Sequence, residues 1–126
     1  MSPRALGGLL PELWRVLRVA VPVELDRRRL GTRPALLRAR ARGARAAARD
    51  ADGRSRLRRA VVTVDARWPG GPNCLRQALL EASLDSAAAR EPLYLHLNAA
   101  GGRDSGHARL ASVPEDGRDY DATLSL

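Results

Sequence analysis

The sequence predicts an α+β fold in which helices come first and a small antiparallel sheet follows. Apolar residues recur at helical spacing in the first half, as in Leu10, Leu13, Trp14, Leu17 and Val21. A second helix-like stretch opens on the sole cysteine, at Asn73-Cys74-Leu75. From residue 93 the period drops to two. Leu93, Leu95 and Leu97 alternate with Tyr94, His96 and Asn98, as in a strand with one buried face. A length of 126 residues suits a single domain with a modest core.

The first helix is expected over residues 9–21, with Glu12, Arg15 and Arg18 opposite its apolar stripe. That stripe should dock on the rest of the domain rather than on a membrane, with Trp14 and Trp68 as packing anchors. Gly31-Thr32-Arg33-Pro34 is a helix-start signal, since Thr32 can cap and proline in the first turn sacrifices no hydrogen bond. The helix that follows should run over residues 34–49, basic through Arg38, Arg40, Arg42, Arg45 and Arg49, and stop at Asp52-Gly53. Leu57, Val61, Val64 and Trp68 again have helical spacing, although the β-branched run of residues 61–64 would also suit a buried strand. Helix is preferred, ending where Trp68-Pro69-Gly70-Gly71-Pro72 punctuates the chain.

The Cys74 helix should fade over residues 85–89, and after the first strand residues 99–106 form a loop. A second strand is expected over residues 107–113. Pro114-Glu115-Asp116-Gly117 then turns the chain so that residues 119–126 return antiparallel to it. Within one domain of residues 1–126, residues 1–53 form a helical N-terminal region and residues 54–126 the core.

One cysteine excludes an internal disulfide, and with only His96 and His107 beside it a cysteine-rich zinc site is excluded as well. No cofactor or metal is expected. The net charge is +8 and the pI about 11.4. All the basic side chains are arginine, and lysine, isoleucine and phenylalanine are absent, so part of this basicity reflects coding bias. What remains is a surface able to attract an acidic peptide. The apolar stretch of residues 6–25 is interrupted by Pro11, Glu12, Arg15, Arg18, Pro22 and Glu24, which argues against a membrane span or a signal peptide. A cytoplasmic protein is expected, with room for transient peripheral membrane contact.

Cys74 carries the chemical interest. Asn73 is a strong N-cap, so the thiol belongs to the first helical turn, where backbone amides and the positive end of the helix dipole favour thiolate. A buried, inert cysteine is the alternative. A thiolate hydrolase also needs a base and a group that orients it. His107, at the start of the second strand, and Asp121, on the next, supply both if those strands are hairpin neighbours. Fallbacks are His96 for the base, although alternation makes it an outward-facing polar residue, and Asp119 for the acid. Ser105 lacks the context of a nucleophile elbow.

Pro72-Asn73-Cys74-Leu75-Arg76-Gln77-Ala78-Leu79, Gly106-His107-Ala108 and Asp121-Ala122-Thr123 together resemble the transglutaminase-like superfamily. Within it they are most similar to the microcin-processing proteins, the leader peptidases of lasso-peptide biosynthesis. The histidine strand departs from that pattern, continuing Arg109-Leu110-Ala111 where the family has Trp-Val-Glu. The resemblance implies a papain-like core, a Cys74–His107–Asp121 triad and cleavage of the leader from a ribosomally made precursor peptide. It also implies a leader-binding partner protein and a lasso cyclase that receives the released core. The alternative from a different class is a catalytically degenerate basic scaffold that binds the acidic precursor or a nucleic acid.

Overall fold

The structure, a computed structural model, describes residues 3–98, 106–115 and 117–126. Residues 99–105 of the expected 99–106 loop, with Ser105, and Asp116 of the expected turn lie outside them, while Gly106 opens a strand. Among the described residues five helices precede three strands: α1 Pro3–Leu30, α2 Thr32–Ala44, α3 Ala51–Ala66, α4 Cys74–Leu84, α5 Ser86–Ala89, β1 Leu93–Leu97, β2 Gly106–Leu110 and β3 Ala122–Ser125. The α+β architecture is as expected.

Several boundaries differ for local reasons. α1 is 28 residues long and carries Pro11 and Pro22 inside it. α2 ends at Ala44 rather than running on to residue 49. Asp50 then caps α3, its carboxylate accepting from the Gly53 amide at 2.7 Å, so Asp52-Gly53 starts a helix where a stop was expected. Residues 61–64 are helical. Asp85 ends α4 and caps α5, accepting from the Ala87 amide.

The core joins Val16, Ala20 and Val23 of α1 to Leu36 and Ala39 of α2, Leu57 and Val61 of α3, Leu79 and Leu80 of α4, and Leu93 and Leu110 of the sheet. Small residues let α2 and α4 approach closely, with Gly43 set against the backbone of Ala82. The stripe of α1 is only partly used. Leu13 packs on the core, whereas Leu10, Trp14, Leu17 and Val21 face outward, contrary to the expectation that Trp14 anchors packing. The inward positions of that helix carry Glu12, Glu24 and Asp26, all buried.

Those carboxylates explain where much of the arginine goes. Glu24 is held by Arg27 at 2.6 Å, Arg28 at 2.8 Å and Arg76 at 3.0 Å. Asp26 meets Arg38 and Arg42, Glu12 meets Arg15 and Arg49, and Arg54 meets Asp85 and Glu91. Hydrogen bonds from Arg27, then Arg76 and Arg28, outweigh burial and hold the Glu24 carboxyl down to about 2 from 4.5. A depressed carboxylate stabilises the fold fully above its unfolded value and loses that contribution as pH falls through the folded one. The stabilisation from Glu24, on the order of 3 kcal/mol, should therefore vanish as pH drops from 4.5 to about 2. Thermal melts of Glu24→Gln should show a flatter pH dependence across that window than the natural chain. Parallel curves would remove Glu24 from the account.

The sheet order is β2-β1-β3, with β1 antiparallel to both neighbours. This corrects the expected hairpin. β2 and β3 run parallel on opposite edges of β1, and a tight turn cannot join parallel strands. The connection instead crosses the sheet face that carries Tyr94, His96, His107 and Arg109, laying Tyr120 over His96 with ring centroids 4.9 Å apart. The apolar β1 strand gains a partner on each side, and its Leu93 exchanges backbone hydrogen bonds with Leu126 at 2.8 and 3.0 Å. Alternation along β1 is also modified: Leu97 is exposed and His96 buried, because the crossing segment covers one face.

Candidate active site

Asn73 fixes the start of α4, its side-chain oxygen accepting from the Arg76 amide at 2.9 Å. Cys74 is therefore the first helical residue, as the sequence predicts. The loop before it is tied down by Asp65, fully buried at the end of α3. Its carboxylate accepts from the Asn73 amide at 2.9 Å, from Gln77 Nε2 at 2.8 Å and from Arg76 Nε at 2.7 Å. Arg76 in turn donates to the Gly71 carbonyl at 2.7 Å and lies over the Trp68 ring, 5.3 Å from its centroid. Asp65, Arg76 and Glu24 escaped sequence reasoning, because a buried salt bridge between residues 52 apart leaves no local pattern.

Cys74 is half-buried, and its sulfur accepts from the Ala108 amide at 3.2 Å, which places it beside the peptide joining His107 to Ala108. A cavity of about 220 Å³ opens there between α3, α4 and β2. Cys74, Gln77 and His107 share its lining with apolar groups such as Val61, Ala78 and Leu110. The His107 ring shares the outer face of the sheet with His96, whereas Ala108, whose amide meets the sulfur, and Leu110 take the core face. The Arg58–Glu81 ion pair, 2.9 Å long, lies on the same wall. In the first turn of α4 the Arg76 and Gln77 amides are taken by Asn73, whereas those of Cys74 and Leu75 precede the first intrahelical bond.

The expected third member does not join them. Asp121 lies just before β3, its amide donating to Asn98 Oδ1 at 3.2 Å. β1 stands between β3 and β2, which separates Asp121 from His107 by two strand spacings, roughly 10 Å. Asp119 belongs to the exposed crossing segment. The residue directly across from His107 is His96, with near-parallel rings and centroids 6.2 Å apart.

No family model, no curated protein and no solved structure matches this chain.

His96 corrects a second expectation, since it is buried rather than outward-facing. Arg109 Nε donates to its Nε2 at 3.0 Å, which requires the proton on Nδ1, and Nδ1 then donates to Thr123 Oγ1 at 2.9 Å. Arg109 also lies 4.8 Å from the Tyr94 ring centroid and donates to the Val113 carbonyl and to Glu115. His96 is thus a clamped platform beneath His107. Among the described residues no cluster of His, Cys, Asp and Glu could hold a metal ion. No helix among them is long and apolar enough to cross a membrane.

Proposed function

We propose that this chain is a cysteine peptidase of transglutaminase-like type that removes the leader from a ribosomally made, lasso-type precursor peptide. The observation that carries the proposal is the shared cavity: Cys74, at a helix N-terminus with a backbone N–H on its sulfur, borders the same space as His107. In this reading the Cys74 sulfur attacks the scissile carbonyl while His107 takes the thiol proton and returns it to the leaving amine. The amides of Cys74 and Leu75, which precede the first intrahelical bond at the positive end of α4, are in this reading the donors for the developing oxyanion. Water then releases the acyl group from sulfur. The apolar walls around Val61, Ala78 and Leu110 suit an aliphatic side chain next to the scissile bond. The lasso-type substrate, the leader-binding partner and the cyclase rest on the resemblance of residues 72–79, 106–108 and 121–123 alone. Asp121 has no orienting role here, because β1 separates it from His107.

Incubating the protein with its precursor and a leader-binding partner, and reading peptide masses, tests this. Cys74→Ala and His107→Gln should each remove cleavage by about a hundredfold or more without altering circular dichroism, while Asp121→Asn stays within about threefold. Wild-type turnover in Cys74→Ala would end the proposal. A second reading, a degenerate scaffold that holds the acidic precursor uncut, draws on the strand order that places His96 where an orienting carboxylate is expected. Retention of an uncut precursor by the natural chain would favour it.

A further inference from the structure

The outward face of α1 combines three properties. Leu10, Trp14, Leu17, Val21 and Leu25 form a continuous exposed apolar stripe, with Leu10 and Trp14 each 61% and Val21 55% exposed. These residues span roughly 22 Å of helix. Beside the stripe run two apolar grooves that share Trp68 and Pro69: one of about 340 Å³ against Leu13, Leu17 and Val64, the other of about 240 Å³ against Val21 and Leu25. Apart from Glu24, which lines the second groove and is held by Arg27, Arg28 and Arg76, the charge around them is positive. Arg15, Arg18, Arg28 and Arg29 are exposed on α1 and Arg67 lines the first groove, whereas the helix's three carboxylates, Glu12, Glu24 and Asp26, are buried against arginines.

We propose that this face docks an acidic amphipathic helix of a partner protein, its apolar side chains seated in the two grooves around Trp68 and its carboxylates meeting the arginine rim. Concavity decides against a lipid surface, since paired grooves along a helix receive the knobs of another helix and a flat bilayer cannot fill them. Charge decides against a second copy of this chain, which would set arginines on arginines. The proposal stands apart from the peptidase reading. α3 separates the two surfaces, with Arg58, Val61 and Val62 lining the Cys74 cavity and Thr63, Val64 and Arg67 lining the first groove.

The test uses the full chain and a fluorescently labelled synthetic helix with leucine at i, i+3, i+4 and i+7 and glutamate elsewhere. Its counterpart carries lysine for glutamate. Anisotropy should show the glutamate helix binding, more weakly as salt rises, and the lysine helix binding at least about tenfold less well. Trp14→Ser and Val21→Ser, both exposed and so compatible with an intact fold, should each weaken binding about tenfold, and Arg18→Glu should weaken it and blunt its salt dependence. Any of four results would overturn the proposal: no binding of the glutamate helix, equal binding of the lysine helix, displacement of the peptide by phosphatidylglycerol vesicles, or self-association of the chain that Trp14→Ser abolishes.

Discussion

Arg76→Ala is expected to cost about 3–5 kcal/mol, a large part of the roughly 5–15 kcal/mol available to a domain of this kind. The guanidinium is buried between two carboxylates, Asp65 at 2.7 Å and Glu24 at 3.0 Å, with the Gly71 carbonyl at 2.7 Å as its third acceptor. Removing it leaves Asp65 charged in a fully buried site, hydrogen-bonded by the neutral Asn73 amide and Gln77 and with Arg27 as its remaining nearby cation. Glu24 retains Arg27 and Arg28, so the larger share of the loss falls on Asp65. Lysine restores the charge but not the three-way fork, and Arg76→Lys should recover less than half of the loss. Urea unfolding followed by circular dichroism measures both. A loss under about 1 kcal/mol, the scale of an exposed ion pair, would show that the cluster does not hold the fold. Because Asp65 also grips the Asn73 amide, partially folded Arg76 variants should expose Cys74 to alkylation faster than the natural chain.

Gly43→Ala should be comparably damaging, for a steric reason. A Cβ there would lie 1.8 Å from the carbonyl oxygen of Ala82 and 2.7 Å from the Ala89 Cβ. The first of these is α4 backbone, which cannot move aside without shifting the helix that carries Cys74. The expected cost is about 3 kcal/mol or more, against about 1 kcal/mol for Gly31→Ala, whose positive φ is strained but whose surroundings are open. A shift in melting temperature for Gly43→Ala no larger than that for Gly31→Ala would mean that α2 and α4 sit further apart than described. If cleavage falls together with stability, the α2–α4 contact also sets the position of the thiol.

Elements whose signal is local were legible in the sequence. Asn73 caps its own helix through a bond to a residue three positions on, so the start of α4 and the first-turn position of Cys74 could be read from a handful of letters. The same holds for the end of α3 before Pro69 and for the period-two run of β1. Asp50 as the cap of α3 was equally local, but Asp52-Gly53, two and three residues on, imitated a stop. Trp14 was misplaced because helical periodicity announces an amphipathic stripe without saying whether the chain itself covers it.

The site divides along the same line. Cys74 and His107 could be named from their sequence contexts, and they border one cavity because α4 packs on β2. The placing of Asp121 depended on strand order, which side-chain alternation does not encode: residues 122–125 could pair with either neighbour and keep the same face. Burial of His96, and its clamp by Arg109 and Thr123, followed from that order, since only a chain crossing over β1 can cover it. The sequence by itself determined the helices, the alternating first strand and the cysteine at a capped helix start, all set by contacts within a few residues. Tertiary structure alone decided which carboxylates would be buried against arginine, which face of α1 would stay open, and which histidine would lie beside His107. Those outcomes depend on contacts between residues far apart in the chain, and such contacts leave no periodicity to read.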